Sequence, residues 1–202
     1  MNIGIDIDGV LCSEDLFHLT YGMRFCSEKS INIPTFLPFG SETKEIFGWS
    51  SEEDTLFWKE YYFHYLTTSE FLYPNCTEII QKWYESGHKI FIISNRQQSA
   101  LNKLGILQNM RQLTENWLRK NNILFHQLIL TERSKESIVQ EKNISLMIDD
   151  NLQFLLSLSP YMMVIGFQSH CNSQYLHTHI PVVSSWKKLE QEFCRLTIKR
   201  EK

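Results

Sequence analysis

Four short apolar runs, each opening onto a polar cluster, constrain this chain more tightly than any other feature of its sequence. Ile3-Gly4-Ile5 runs on through Asp6-Ile7-Asp8 to Gly9, and Lys89-Ile90-Phe91-Ile92-Ile93 runs into Ser94-Asn95-Arg96. Gln127-Leu128-Ile129-Leu130 leads to Thr131, Arg133 and Lys135, and Ile144-Ser145-Leu146-Met147-Ile148 runs into Asp149-Asp150-Asn151. Continuous apolar strands that alternate with helical patterns imply an α/β fold with a parallel sheet buried on both faces. Open sheets of that class bind ligands outside the carboxyl ends of their strands. Topology alone therefore sends four acids, a serine hydroxyl and a lysine to one edge.

The first run carries the most chemistry. Strand side chains alternate, so Asp6 and Asp8 are expected on one side with Ile7 between them. Two carboxylates that close repel unless a cation or a proton sits between them. Gly9 frees the backbone to turn away at that point. Asp149 and Asp150 are adjacent and cannot both point the same way on a strand. Four acids with few bases around them predict a divalent cation, and hard carboxylate oxygens suit magnesium.

Composition narrows the function classes. At 202 residues the chain can bury one core and a small insertion. A net charge of −3 offers no footprint for a nucleic-acid backbone, and the basic tail Lys199-Arg200-Glu201-Lys202 reads as a solvated terminus. No apolar stretch reaches the length of a membrane span. A first strand that begins at residue 2 leaves no room for a signal peptide. Five cysteines at irregular spacing make no disulfide framework and fit reduced thiols in a cytoplasmic protein.

Periodicity and turn signals give the expected organisation. A first strand covers residues 1–11, and residues 12–75 are too long for a crossover helix. They hold helical patches near 14–28, 42–48 and 52–65, broken by Pro34 and Pro38, with the acids of Ser51-Glu52-Glu53-Asp54 opening the last. A helix over 77–86 is closed by Gly87, and a strand over 89–93 follows. The pattern continues with a helix over 107–121, whose stripe holds Leu107, Met110, Leu113, Trp117 and Leu118, and a strand over 127–130. A short helix from Lys135, a strand over 144–148, a helix over 151–158 and a strand over 161–166 come next, then a loop over 168–180 and a helix over 186–197 capped by Ser185.

Asp6-x-Asp8-Gly9-Val10, an apolar strand ending in Ser94, then Lys135, then Asp149-Asp150 resemble the four ordered motifs of the haloacid dehalogenase (HAD) superfamily of phosphohydrolases, from residue 3 to about residue 165. Asp8-Gly9-Val10-Leu11, Thr114-x-x-Trp117-Leu118 and Ile148-Asp149-Asp150 are similar to the small 5'(3')-deoxyribonucleotidases of that superfamily and their bacterial relatives. The resemblance implies a Rossmann-like three-layer core from residues 1–11 and 76–202, with a helical cap at 12–75 inserted after the first strand. It implies a phosphomonoester hydrolase acting on a nucleoside 5'-monophosphate. Asp6 would be the nucleophile, and Asp8 the general acid and then base. Ser94 and Asn95 would hold phosphate oxygens, and Lys135 would neutralise charge. Magnesium would rest on Asp6, the Asp8 carbonyl and Asp149, with Asp150 acting through water.

Each of these residues also has a plainer reading. Asp150 could cap the helix near Asn151, Ser94 could be a turn residue, and Arg133 rivals Lys135. Arg96 could touch phosphate or a substrate carboxylate, or lie on the surface. Phe57, Trp58, Tyr61 and Tyr62 sit at helical spacing and read as core, whereas Trp49 and Phe47, flanking Gly48, are the candidates to stack on a flat ring. Phe36 and Phe39 add to the same aromatic insertion. His177-Thr178-His179 lacks a third ligand and reads as loop. The alternatives are a phosphatase for a sugar phosphate or a nucleic-acid 3'-phosphate end, and a non-catalytic binding module. No membrane or nucleic-acid partner is expected.

Overall fold

In the computed structural model, residues 1–35, 43–169, 172 and 179–200 are described, residues 199 and 200 by backbone alone. The first strand, β1 (Asn2–Ile5), is shorter than expected. After it the chain winds through one tight turn, with Leu11 N donating to Ile7 O at 2.8 Å and Gly9 at φ +77°. Three helices follow: α1 (Glu14–Lys29), α2 (Thr43–Phe47) and α3 (Ser51–Thr67). Ser13 caps α1, and α3 opens on a capping box in which the Ser50 hydroxyl accepts from Glu53 N while the Glu53 carboxylate accepts from Ser50 N.

The chain re-enters the sheet beside its own exit. Ser13 N donates to Phe71 O and Tyr73 N donates to Leu11 O, so the two connections of the insertion form one short antiparallel pair. Next come α4 (Cys76–Glu85), β2 (Lys89–Ser94), α5 (Gln98–Lys103), α6 (Met110–Lys120), β3 (Gln127–Leu130) and α7 (Lys135–Glu141). The chain ends with β4 (Leu146–Asp149), α8 (Leu152–Leu158), β5 (Met163–Phe167), β6 (Val182–Val183) and α9 (Trp186–Arg200).

The six strands are parallel in the order β3-β2-β1-β4-β5-β6, with β1 central and Ile5 paired to both Ile92 and Ile148. Their runs carry no polar alternation because helices cover both faces. One face packs on α4 and α9 through Ile80, Trp83, Trp186 and Leu189, the other on α7 and α8 through Val139, Leu152 and Leu155. A third apolar cluster lies within α1–α3 around Phe17, Phe25, Phe57 and Leu66.

Three differences from the sequence reading have local causes. The helix expected from residue 107 begins at Met110 behind the Asn109 cap, so Leu107 lies outside it and is 98% exposed. α5 and β6 were not anticipated, being six and two residues long with no side-chain cap on α5. Gly87 does close α4, at φ +81°. Phe36, Pro38, Phe39, Cys171, His177 and Thr178 lie outside the described residues, as does most of the loop expected over 168–180. Among the described residues, Cys12, Cys26, Cys76 and Cys194 are unpaired, and no helix is long and apolar enough to cross a membrane.

Candidate active site

Strand order creates the centre of the site. Asp6 follows β1 directly, and its N–H donates to Ile148 O at 3.0 Å, while Asp149 ends β4. Neighbouring strands therefore set these two carboxylates side by side. Lys135, the first residue of α7, places its Nζ 3.0 Å from Asp6 Oδ2 and 2.7 Å from Asp149 Oδ2, and all three side chains are buried. Asp6, Asp149 and Asp150 each bring a carboxylate oxygen within 4.8 Å of the others. Asp149 Oδ1 accepts from Asn151 N, and Asn151, not Asp150, caps α8. The Asn172 amide donates to Asp150 O and Phe167 O, both at 2.7 Å, and ties the acidic turn to the end of β5. Gly9 faces this turn, and a Cβ there would come 2.3 Å from Asp150 Oδ2, so both φ and space require glycine.

Asp8 stands apart from that trio. Its carboxylate is gripped by Arg96, with Nη2 at 2.7 Å from Oδ1 and Nε at 3.0 Å from Oδ2. Tyr65, from α3, donates its hydroxyl to Asp8 Oδ1 at 2.5 Å. The Arg96 guanidinium is 5.5 Å from the centre of the Tyr65 ring and 5.7 Å from that of Trp117. The expected convergence of four carboxylates is thus three plus one, because Asp8 lies in the turn beyond β1 and meets Arg96 from the end of β2.

Burial sets the electrostatics. It pushes Asp6 up to about 7, aided by the charges of Asp149 and Asp8 and opposed by Lys135. Asp150 is raised well above the carboxylate range by burial and then by Asp149 and Asp6. Burial works against Asp8 as well, but the charge and hydrogen bonds of Arg96, joined by the Tyr65 hydroxyl, hold its carboxyl below the usual range. Burial would lower Lys135, yet Asp6 and Asp149 raise it, so it stays charged. Three carboxylates share one lysine, which is why their mutual repulsion helps to raise Asp6 and Asp150, and their hard oxygens fit a magnesium ion.

No family model matches the chain, and no curated protein matches it. Solved structures do. A HAD-superfamily hydrolase from Ehrlichia chaffeensis superposes with a TM-score of 0.52 at 12% identity, covering 97% of both chains. CbbY from Rhodobacter sphaeroides, solved in complex with xylulose-1,5-bisphosphate, gives 0.53 at 11% identity over 91% of this chain and 93% of that one. β-Phosphoglucomutase from Clostridium difficile gives 0.50 at 15% identity over 98% of both. The fold is that of the HAD superfamily.

In this HAD-type framework the sequence candidates separate. Lys135 lies in the site, whereas Arg133 is exposed. Ser134 stands at the N-cap of α7 without a side-chain cap bond, so it does not hold Lys135 inward by that route; the two ion pairs do. Ser94 is buried at the end of β2, its Oγ accepting from Arg96 N at 3.3 Å. Asn95 is exposed and lines a cleft of 180 Å³ with Lys135, Asn151 and Phe154. Arg96 is no surface residue: it is 5% exposed, and its Nη1 has no hydrogen-bond partner among the described residues.

The expectation that Trp49 and Phe47 face the catalytic edge is corrected. Both are buried in the α1–α3 cluster, stacked on each other at 4.8 Å, with Trp49 Nε1 donating to Cys26 Sγ. Gly22 on α1 leaves the space that the Phe47 ring fills, since a Cβ there would come within 2.2 Å of it, and Trp49 stacks on that ring. Trp58 and Tyr62, read as core, are instead half-buried and line a groove of 360 Å³ between α3 and α5. His179 pairs with Ser159 Oγ at 3.1 Å, away from the acids.

Sequence reasoning missed Tyr65, Glu14 and His18. The ring of His18 is 2% exposed, and its nitrogens have no hydrogen-bond partner among the described residues, with Glu14 Oε1 at 3.6 Å. Burial lowers its pKa to about 4. Neither α1 nor α3 carries a clear apolar stripe, so periodicity gives no sign that these three residues gather near Asp8.

Proposed function

We propose that this chain is a magnesium-dependent phosphomonoester hydrolase that works through an aspartyl phosphate on Asp6, in the cytoplasm. The observation that carries this reading is Asp6 lying beside both Lys135 and the Asp149-Asp150 pair, with Asp8 in the turn that follows. Asp6 attacks phosphorus and the ester P–O bond breaks. Lys135 neutralises charge on the transferred group, and the Ser94 hydroxyl and Asn95 amide hold its oxygens. Asp8 gives a proton to the leaving oxygen, then takes one from the water that hydrolyses the aspartyl phosphate. Asp6, Asp149, Asp150 and the Asp8 carbonyl would hold the magnesium ion, which supplies positive charge to the phosphoryl oxygens. Residues 12–75 serve as the cap over this edge.

The substrate class that fits is a small phosphate ester. A sugar phosphate is supported by likeness in fold to CbbY, which was solved with a sugar bisphosphate. A nucleoside monophosphate loses the support expected from Trp49 and Phe47, and would need the half-buried Trp58 and Tyr62 to receive its base. Phosphate release from a panel of sugar phosphates, nucleoside monophosphates and 3'-phosphorylated oligonucleotides, with magnesium and with excess chelator, tests the proposal. We expect turnover only with magnesium, and Asp6→Asn to abolish it. Full activity in chelator refutes the proposal, as does an Asp6→Asn variant within about tenfold of wild type, since ~1.4 kcal/mol is too small for a lost nucleophile. No turnover of any ester would leave a binding module.

A further inference from the structure

The two oxygens of Asp8 are not equivalent. Oδ1 accepts from Tyr65 Oη at 2.5 Å and from Arg96 Nη2 at 2.7 Å, with Arg96 Nε also at 3.3 Å and the weak Cys12 Sγ donor at 3.9 Å. Oδ2 accepts only from Arg96 Nε, at 3.0 Å, among the described residues. The hydroxyl that makes this difference comes from α3, on the far side of the hinge formed by residues 11–13 and 71–73, so it reaches Asp8 only when the helical insertion sits over the sheet edge. Tyr65 is itself buried, with its ring 4.7 Å from that of Phe17, which fixes the direction of the hydroxyl.

We propose that Tyr65 is a positioning residue for Asp8: it pins Oδ1, so that Oδ2 is the oxygen that carries the proton, and it makes acid catalysis conditional on a seated cap. This rests on the reading of Asp8 as the general acid. In the first step Oδ2–H gives its proton to the bridging ester oxygen as the P–O bond breaks, while Oδ1, then a carbonyl oxygen, still accepts from Tyr65. In the second step Oδ2 takes a proton from the attacking water as the acyl phosphate on Asp6 is cleaved. One hydroxyl thus serves both protonation states of Asp8 without moving. Arg96, whose planar fork spans both oxygens, sets the plane of the carboxyl.

The test compares kcat/KM for phenyl phosphate, whose phenol leaves poorly without a proton, with that for dinitrophenyl phosphate, whose phenol leaves unaided. The full-length protein is used with magnesium. Tyr65→Phe keeps the ring and its packing. We expect it to slow phenyl phosphate by about five- to tenfold, the worth of a hydrogen bond to the neutral carboxyl that Asp8 is in this step. The dinitrophenyl ester should slow by less than about threefold, since its leaving group needs little of the acid. Arg96→Lys, which loses the fork, should show the same skew, and a thermal melt confirms that each variant is folded. Equal slowing of both esters means Tyr65 only holds the cap together, and unchanged rates mean Asp8 does not depend on it; either result overturns the proposal. Asp8→Asn separates the two claims. If it shows the skew while Tyr65→Phe does not, the role of Tyr65 falls and the acid stands. If it shows no skew, Asp8 is not the acid, and the role of Tyr65 falls with it.

Discussion

Replacing Lys135 with methionine tests the electrostatic logic of the site more sharply than replacing an acid. Lys135 Nζ lies 3.0 Å from Asp6 and 2.7 Å from Asp149, and its side chain is nearly as buried as theirs. Methionine keeps the length of the chain and can pack on Phe154, whose ring centre lies 5.9 Å from Nζ. The loss is therefore mainly of charge. Breaking a buried ion pair by removing one partner costs about 3–5 kcal/mol, because the other charge is left uncompensated. Here two carboxylates lose their partner, and Asp6 and Asp150 are already raised by burial and by their neighbours. We expect Lys135→Met to lose roughly that amount in urea denaturation at neutral pH with excess chelator. Magnesium should restore part of it, about 2.7 kcal/mol at a hundredfold excess over its dissociation constant. Phosphate release should fall even where stability recovers, since Lys135 is also meant to neutralise the transferred group. A loss below about 1 kcal/mol in chelator, the scale of an exposed pair, would refute the argument that Lys135 compensates the buried acids. Magnesium that stabilises wild type and variant equally would refute the idea that ion and lysine answer the same charge.

Two further predictions concern residues outside that pair. His18 is held neutral, with its pKa lowered from 6.5 to about 4 by burial, so the unfolded chain binds the extra proton between those values. Stability due to His18 is full above pH 6.5 and is lost as pH falls, by roughly 2–3 kcal/mol at pH 4.5, and His18→Leu should flatten that part of the pH profile; an unchanged slope would show that the ring is charged or solvated. Trp49→Ala should cost about 3–5 kcal/mol in stability by opening a cavity in the α1–α3 cluster, with equal effects on kcat/KM for a nucleotide and for nitrophenyl phosphate; a loss confined to the nucleotide would reinstate Trp49 as a ligand platform.

What the sequence determined by itself is the edge at which the chemistry sits. Apolar runs without polar alternation can be stable only as strands covered on both faces, and parallel strands share one carboxyl end. Asp6, Ser94, Lys135 and Asp149 were legible for that reason, each at or just beyond the end of a run or at the start of the helix that follows it. Some helix ends were legible too, because their signals are local: the acids of Ser51-Glu52-Glu53-Asp54 open α3, and Gly87 closes α4. Tertiary structure alone decided which of the gathered groups touch. Asp6 and Asp8 were expected on one side of a strand, but β1 ends at Ile5 and the chain turns at Gly9, so Asp8 pairs with Arg96 and Tyr65 and not with the acidic trio. Periodicity places Trp49, Trp58, Tyr62 and Tyr65 in one aromatic insertion, yet it cannot say which become its core. That depends on how α1, α2 and α3 pack on one another and on the sheet edge, a relation set by contacts distant in sequence, on which a 3.6-residue period carries no information.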